Sequence, residues 1–170
     1  MNETDYRPAT WLPAIWTALS IGKRIVRAII LHSTPAPARA VAIPPITHGS
    51  CSAHYHIDEL GRVTQHIREN DIAFHAVNPR KPEWSNAHTI GLTLERADDA
   101  TEWPDVQLLA VAKLAAAIRI RYPGIPVLTH ADISRKPDHI DDPAHFPLLE
   151  LEVAIMREED AQNRVPRLPA

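Results

Sequence analysis

A single cysteine, Cys51, stands in the whole chain. No internal disulfide can form, so stabilisation has to come from packing or from a bound metal. Glycine is scarce too, five residues against sixteen prolines, which favours rigid, φ-restricted connections over flexible ones. There is no dense Lys/Arg run, and a formal charge of -3 with a pI near 6.3 leaves no basic footprint for nucleic acid. No apolar stretch approaches the ~20 residues needed to cross a bilayer, so a soluble protein without a membrane partner is expected. The opening residues, MNETDYRPATWLPAIWTALS, lack a basic n-region, and Pro13 breaks their apolar part. No secretion signal is read, and a cytoplasmic location as synthesised is expected. Internal repeats and low-complexity tracts are absent.

The 170 residues that remain to be explained suit one core. Trp11, Ile15 and Leu19 recur at i, i+4 and i+8, which predicts a short helix over 9–20 and a helical extension over 1–22. The run 24–32 (RIVRAIILH) reads as a strand buried on both faces, followed by a long loop over 38–50. Alternating segments at 53–58 and 62–67, joined by Glu59-Leu60-Gly61, predict a hairpin with Gly61 at positive φ, with a further extended piece over 72–76. TIGLTLE (89–95) predicts a strand with Ile90, Leu92 and Leu94 towards the core, leaving Gly91, Thr93 and Glu95 towards a cleft. After Pro104, the residues Val106, Leu109, Ala110, Lys113, Leu114, Ala117, Ile118 and Arg121 keep a 3.6 period up to Tyr122-Pro123-Gly124, which predicts a long helix. A short strand over 125–129 leads to His130. A closing helix over 148–157 faces inwards with Leu148, Leu151 and Ile155, and the residues beyond read as frayed. This order implies an α/β domain over 23–158, a central mixed β-sheet flanked by helices, with a tail over 159–170.

The densest chemistry lies in 129–146, THADISRKPDHIDDPAHF, with three histidines, four aspartates, a lysine and an arginine. Zinc takes ligands that are deprotonated at neutral pH, and a hydrolytic site uses three from the protein and keeps a fourth position open. His130 ends one apolar strand and His32 another, where a stiff backbone fixes the imidazole. Asp138, Asp141 and Asp142 lie within one turn-back of His130.

These residues resemble the zinc N-acetylmuramoyl-L-alanine amidases of the type 2 amidase, peptidoglycan-recognition-protein and phage-lysozyme group, over roughly residues 25–146. IILHST is similar to the first strand of that family, ending in its first metal histidine, which places that role on His32. SAHYHIDELGRVTQHI resembles the hairpin S-x-H-hydrophobic-x-I-x-x-x-G-x-V-x-Q. IAFHAVN resembles the substrate-side A-W-H-A-G element, and NAHTIGLTLE resembles N-x-x-S-I-G-I-E-L. HADISRKPD resembles H-x-D-I-A-P-G-R-K-x-D. The resemblance implies His130 as second metal ligand, Lys136 as catalytic lysine, and Asp138 as third ligand, two residues beyond the lysine. Asp142-Pro143 echoes the family's D-P-G and is the alternative; His139 and His145 read as loop residues. His75, Asn78 and Thr93 are implied on the substrate side, and the loop over 38–50 as a groove wall.

Two departures stand out. The His130–Lys136 spacing is two residues shorter than in members with an Asp ligand. Thr93 and Ala53 occupy the positions where the family carries the Glu or Tyr that helps activate the water, so Glu95, one pleat along from Thr93 and ~7 Å away, is the expected substitute base. The resemblance implies a monomeric, zinc-dependent hydrolase. It would cut the amide between N-acetylmuramic acid and L-alanine in peptidoglycan or muropeptide fragments. Its role would be that of a phage endolysin released through a holin, a recycling enzyme, or an exported effector. The alternative is a peptidoglycan-binding module of the same fold without catalysis.

Overall fold

The computed structural model describes residues 4–15, 17–35, 51–76, 78–96, 102–135 and 142–164. Among these, six strands form one sheet: β1 (Thr10–Trp11), β2 (Ala28–Pro35), β3 (Tyr55–Ile57), β4 (Val63–Gln65), β5 (Thr89–Arg96) and β6 (Val127–Thr129). Their spatial order is β1-β4-β3-β5-β2-β6. Only β3 and β4 pair antiparallel; the other neighbours are parallel. The sheet is mixed, as expected.

β2 lies between β5 and β6, and Ala28, Ile29, Ile30 and Leu31 are fully buried, which is why this run is apolar on both faces. The β3–β4 hairpin is held by Asp58, whose side chain accepts from the Leu60 and Arg62 amides at 3.0 and 2.9 Å. Gly61 there has φ +74°, and an added Cβ would meet the Val106 carbonyl oxygen at 2.7 Å. Only glycine suits both the dihedral and the space.

One face of the sheet, with Ile29, Leu31, Tyr55, Ile57, Ile90, Leu92 and Leu94, shares a core with helices α1 (Asp105–Arg121) and α3 (Leu148–Arg164). The expected α1 forms, but turned about its axis. Val106 and Leu109 are exposed, whereas Val111, Ala112, Leu114, Ala115, Ala116 and Ile118 are buried. Three alanines on the inner side let the helix approach the sheet closely. Gln107 is buried with them because its Nε2 donates to the Ile57 and Glu95 carbonyls at 3.1 and 2.7 Å. α3 runs to Arg164 rather than ending near 157, since Glu158 to Arg164 contains neither glycine nor proline to stop it.

The helix expected over 9–20 does not form among the described residues of that stretch. Thr10–Trp11 instead pairs with β4, and Leu12 and Ala14 donate to the Gln65 and His66 carbonyls, both at 2.9 Å. Pro13 would have broken a helix interior, whereas an edge strand tolerates it. Ile15 and Leu19, two of the residues at helical spacing, are exposed. The extended piece over 72–76 contributes only an isolated bridge between Ala18 and Ile72. The loop over 38–50 lies outside the described residues. Among the described residues no helix is long and apolar enough to cross a membrane.

Candidate metal centre

Because β2, β5, β6 and β3 run parallel, their carboxyl ends fall along one edge, where side chains and following loops converge. His32 comes from β2, Thr93 and Glu95 from β5, and His130 from the residue after β6. His130 opens a four-residue helix, α2 (His130–Ile133). Its N-terminus is fixed by a capping box between Thr129 and Asp132, which ties the end of β6 to the first turn and so fixes the start of the histidine's helix. The His32 and His130 rings lie with centroids 4.6 Å apart, tilted by 52°.

The third member is Asp142. Its Oδ1 accepts from the Ser33 amide at 2.7 Å and the Ser33 hydroxyl at 3.0 Å. Its Oδ2 lies 2.8 Å from His130 Nδ1 and 3.7 Å from His32 Nδ1. The Ala131 amide donates to the Asp142 carbonyl at 3.0 Å. Burial works to raise this carboxyl, but the His130 and His32 imidazoles and the Ser33 amide outweigh it and hold it well below the usual carboxylate range. His32, His130 and Asp142 each offer one ligand atom, all within 4.8 Å of one another. Two imidazoles and one carboxylate are a donor set that suits zinc, and these three side chains would hold it. Lys136, Asp138 and His139 lie outside the described residues; His145 is exposed, with φ +49°.

His75 is not open to the cleft. It is 7 % exposed, its Nδ1 is 3.0 Å from His32 Nε2, and its Nε2 is 3.1 Å from Thr89 Oγ1. Burial, and after it the His32 and His54 rings, keep it uncharged, well below the usual imidazole value. Asn78 is exposed, with φ +49°, and its carbonyl accepts from the Arg135 amide at 3.2 Å.

Thr93 stands in register between His32 on β2 and His56 on β3. Glu95, one pleat further, is buried, and its Oε2 lies 4.0 Å from His56 Nε2. Burial pushes the His56 imidazole down to about 4, with His66 adding to the effect and Asp58 opposing it. His56 was not singled out from the sequence. The alternation His54-Tyr55-His56-Ile57 was the available signal, since it places both histidines on the face of β3 opposite the core. Behind this row, Arg24 sends its guanidinium to the backbone carbonyls of Glu69, Asp71, Asn86, Ala87 and Thr89.

Residues 22–145 match the N-acetylmuramoyl-L-alanine amidase family. The chain is 32 % identical over 120 residues to N-acetylmuramoyl-L-alanine amidase A of Achromobacter lyticus, covering 69 % of this chain and 64 % of that one. It is 36 % identical over 90 residues to the 1,6-anhydro-N-acetylmuramyl-L-alanine amidase AmpD of Haemophilus influenzae, covering 50 % of this chain and 48 % of the relative. The matches thus span less than two thirds of either curated relative. A crystal structure of selenomethionine AmpD superposes with a TM-score of 0.74 at 20 % identity, covering 91 % of this chain and 98 % of that one. With most of its length matched, the chain belongs to the N-acetylmuramoyl-L-alanine amidase family.

Proposed function

We propose that the chain is a zinc-dependent amidase that hydrolyses the bond between N-acetylmuramic acid and L-alanine in peptidoglycan or its fragments. The observation that carries this is the convergence of His32, His130 and Asp142 at the carboxyl edge of the sheet. In this reading those three side chains hold the ion, with Asp142 rather than Asp138 as the acid. Zinc held there would supply Lewis acidity towards the amide carbonyl and would lower the pKa of water at the site towards ~7. Glu95 accepts the proton of the attacking water, with His56 beside it at 4.0 Å. Lys136, outside the described residues, keeps the role implied by the resemblance, stabilisation of the developing oxyanion, an effect worth about 10²–10³ in rate. Thr93 and Asn78 contact the sugar-peptide substrate. The Haemophilus relative's name supports anhydro-muropeptide fragments as one substrate class.

A binding module without catalysis is the second reading, and Thr93, where the family carries a water-activating acid, is the residue that favours it. Metal analysis together with turnover on a purified muropeptide separates the two. One equivalent of zinc and release of the L-alanine-initiated peptide, identified by mass, is the expected result. Zinc without release would make the chain a binder, and absence of zinc would remove the metal proposal. A digest of intact sacculi analysed in the same way distinguishes polymer from fragment substrates.

A further inference from the structure

Imidazole has two neutral tautomers, and only the one with a bare Nδ1 lets His32 ligate through the atom that faces Asp142. A chain of contacts leads away from the other nitrogen: His32 Nε2 to His75 Nδ1 at 3.0 Å, His75 Nε2 to Thr89 Oγ1 at 3.1 Å, and Thr89 Oγ1 to the Ser85 carbonyl oxygen at 3.0 Å. The last link sets the direction. A carbonyl only accepts, and two oxygens 3.0 Å apart need a proton between them. The Thr89 hydroxyl therefore donates to Ser85, which leaves its lone pairs for the His75 Nε2–H. His75 Nδ1 is then an acceptor, and His32 must meet it with Nε2–H.

We infer that His75 and Thr89 are positioning residues, which lock His32 in the tautomer whose Nδ1 is bare and ready for the metal. At Asp142 the shorter contact is with His130, whose Nδ1 lies 2.8 Å from Oδ2, against 3.7 Å for His32 Nδ1. The backbone that carries His75 is anchored, and its ring has a fitted space. Asn86 Oδ1 accepts from the His75 and Ala76 amides at 2.9 and 2.7 Å, and Gly91 gives the ring room against β5, where a Cβ would approach His75 Cγ to 2.6 Å. Ser85, Asn86, Thr89 and Gly91 are thus one structural unit whose task is the orientation of a single imidazole. Outer partners of this kind commonly tune metal affinity by about 10- to 100-fold.

This inference rests on the zinc reading, and its test keeps the two apart. In full-length, metal-free wild-type protein, long-range ¹H–¹⁵N correlation of the histidine rings is expected to show His32 as the Nε2–H tautomer; an Nδ1–H tautomer would overturn the lock, whatever the metal result. Zinc affinity is then measured by chelator competition for wild type, Thr89→Val and Thr89→Ser. Valine keeps the shape and removes the acceptor, so affinity is expected to fall about 10- to 100-fold, with serine restoring it to within about threefold of wild type. Equal affinity for wild type and Thr89→Val would overturn the lock while leaving the zinc site standing. Failure of wild type to bind zinc, with His32 still Nε2–H, would overturn the metal reading alone.

Discussion

At the scale of single residues, the two histidines were readable because each ends an apolar strand. The acid was narrowed to two. The two-residue step from Lys136 pointed to Asp138, which lies outside the described residues, and the Asp-Pro echo to Asp142, which is held beside the histidines by its bond to the Ser33 amide, a partner 109 positions away. No local spacing encodes such a contact. Alanine at 142 is expected to abolish stoichiometric zinc binding, while alanine at 138 leaves one equivalent; metal analysis of both variants decides, and the reverse pattern would move the ligand. Glu95 is tested separately. Glu95→Gln should keep zinc and lower turnover by about 10²–10⁴, and unchanged turnover would eliminate it as base. The His75–Thr89–Ser85 chain was equally hidden, because it links residues of different types whose only relation is three-dimensional.

Elements were legible where a local rule applied without competition. Gly61 announces its turn, and the alternation of TIGLTLE gives β5 its two faces. The N-terminal stretch misled because a 3.6 spacing of apolar residues was given more weight than Pro13. In α1 the period was right and the phase wrong, since apolar residues and alanines occur nearly all round the helix and only the sheet decides which side is inner. Gly61 offers the clearest test at this scale. Gly61→Ala must adopt positive φ and also displace the Val106 carbonyl, so a loss of about 1–3 kcal/mol is expected. That corresponds to a fall in Tm of roughly 2–12 °C for a chain of this size. Zinc stoichiometry should be unchanged, because the hairpin tip supplies no ligand. A Tm equal to wild type would show that the turn relaxes without strain.

For the molecule as a whole, burying so many imidazoles has a measurable effect on acid stability. Burial, with Arg24 assisting and the Asp71 carbonyl opposing, pushes His54 down to about 3, and His56 lies at about 4. In the unfolded chain both titrate near ~6.5. Between those values the unfolded state binds more protons than the folded one, so stability is complete above ~6.5 and is lost as pH falls. Each group contributes up to about 1.4 kcal/mol per pH unit, which predicts a loss on the order of 4 kcal/mol from pH 7 to pH 5. Urea unfolding with chelator present measures it, and a flat profile would contradict the burial. The mixed, helix-flanked sheet could be expected from the order of elements, but the strand order β1-β4-β3-β5-β2-β6 could not, because pairings such as β2 with β5 join segments about sixty residues apart.

The two-faced β3 has one more consequence. His54 and His56 point to one side, Tyr55 and Ile57 to the other, and side chains alternate strictly along a strand. A slip of one residue against β5 would drive both imidazoles into the hydrocarbon between sheet and helices, and would part the Tyr55 hydroxyl from Glu69, now 2.7 Å apart. The polar face of this strand therefore proofreads the pairing of the sheet: a chain that folds out of register is penalised before it ever meets a substrate.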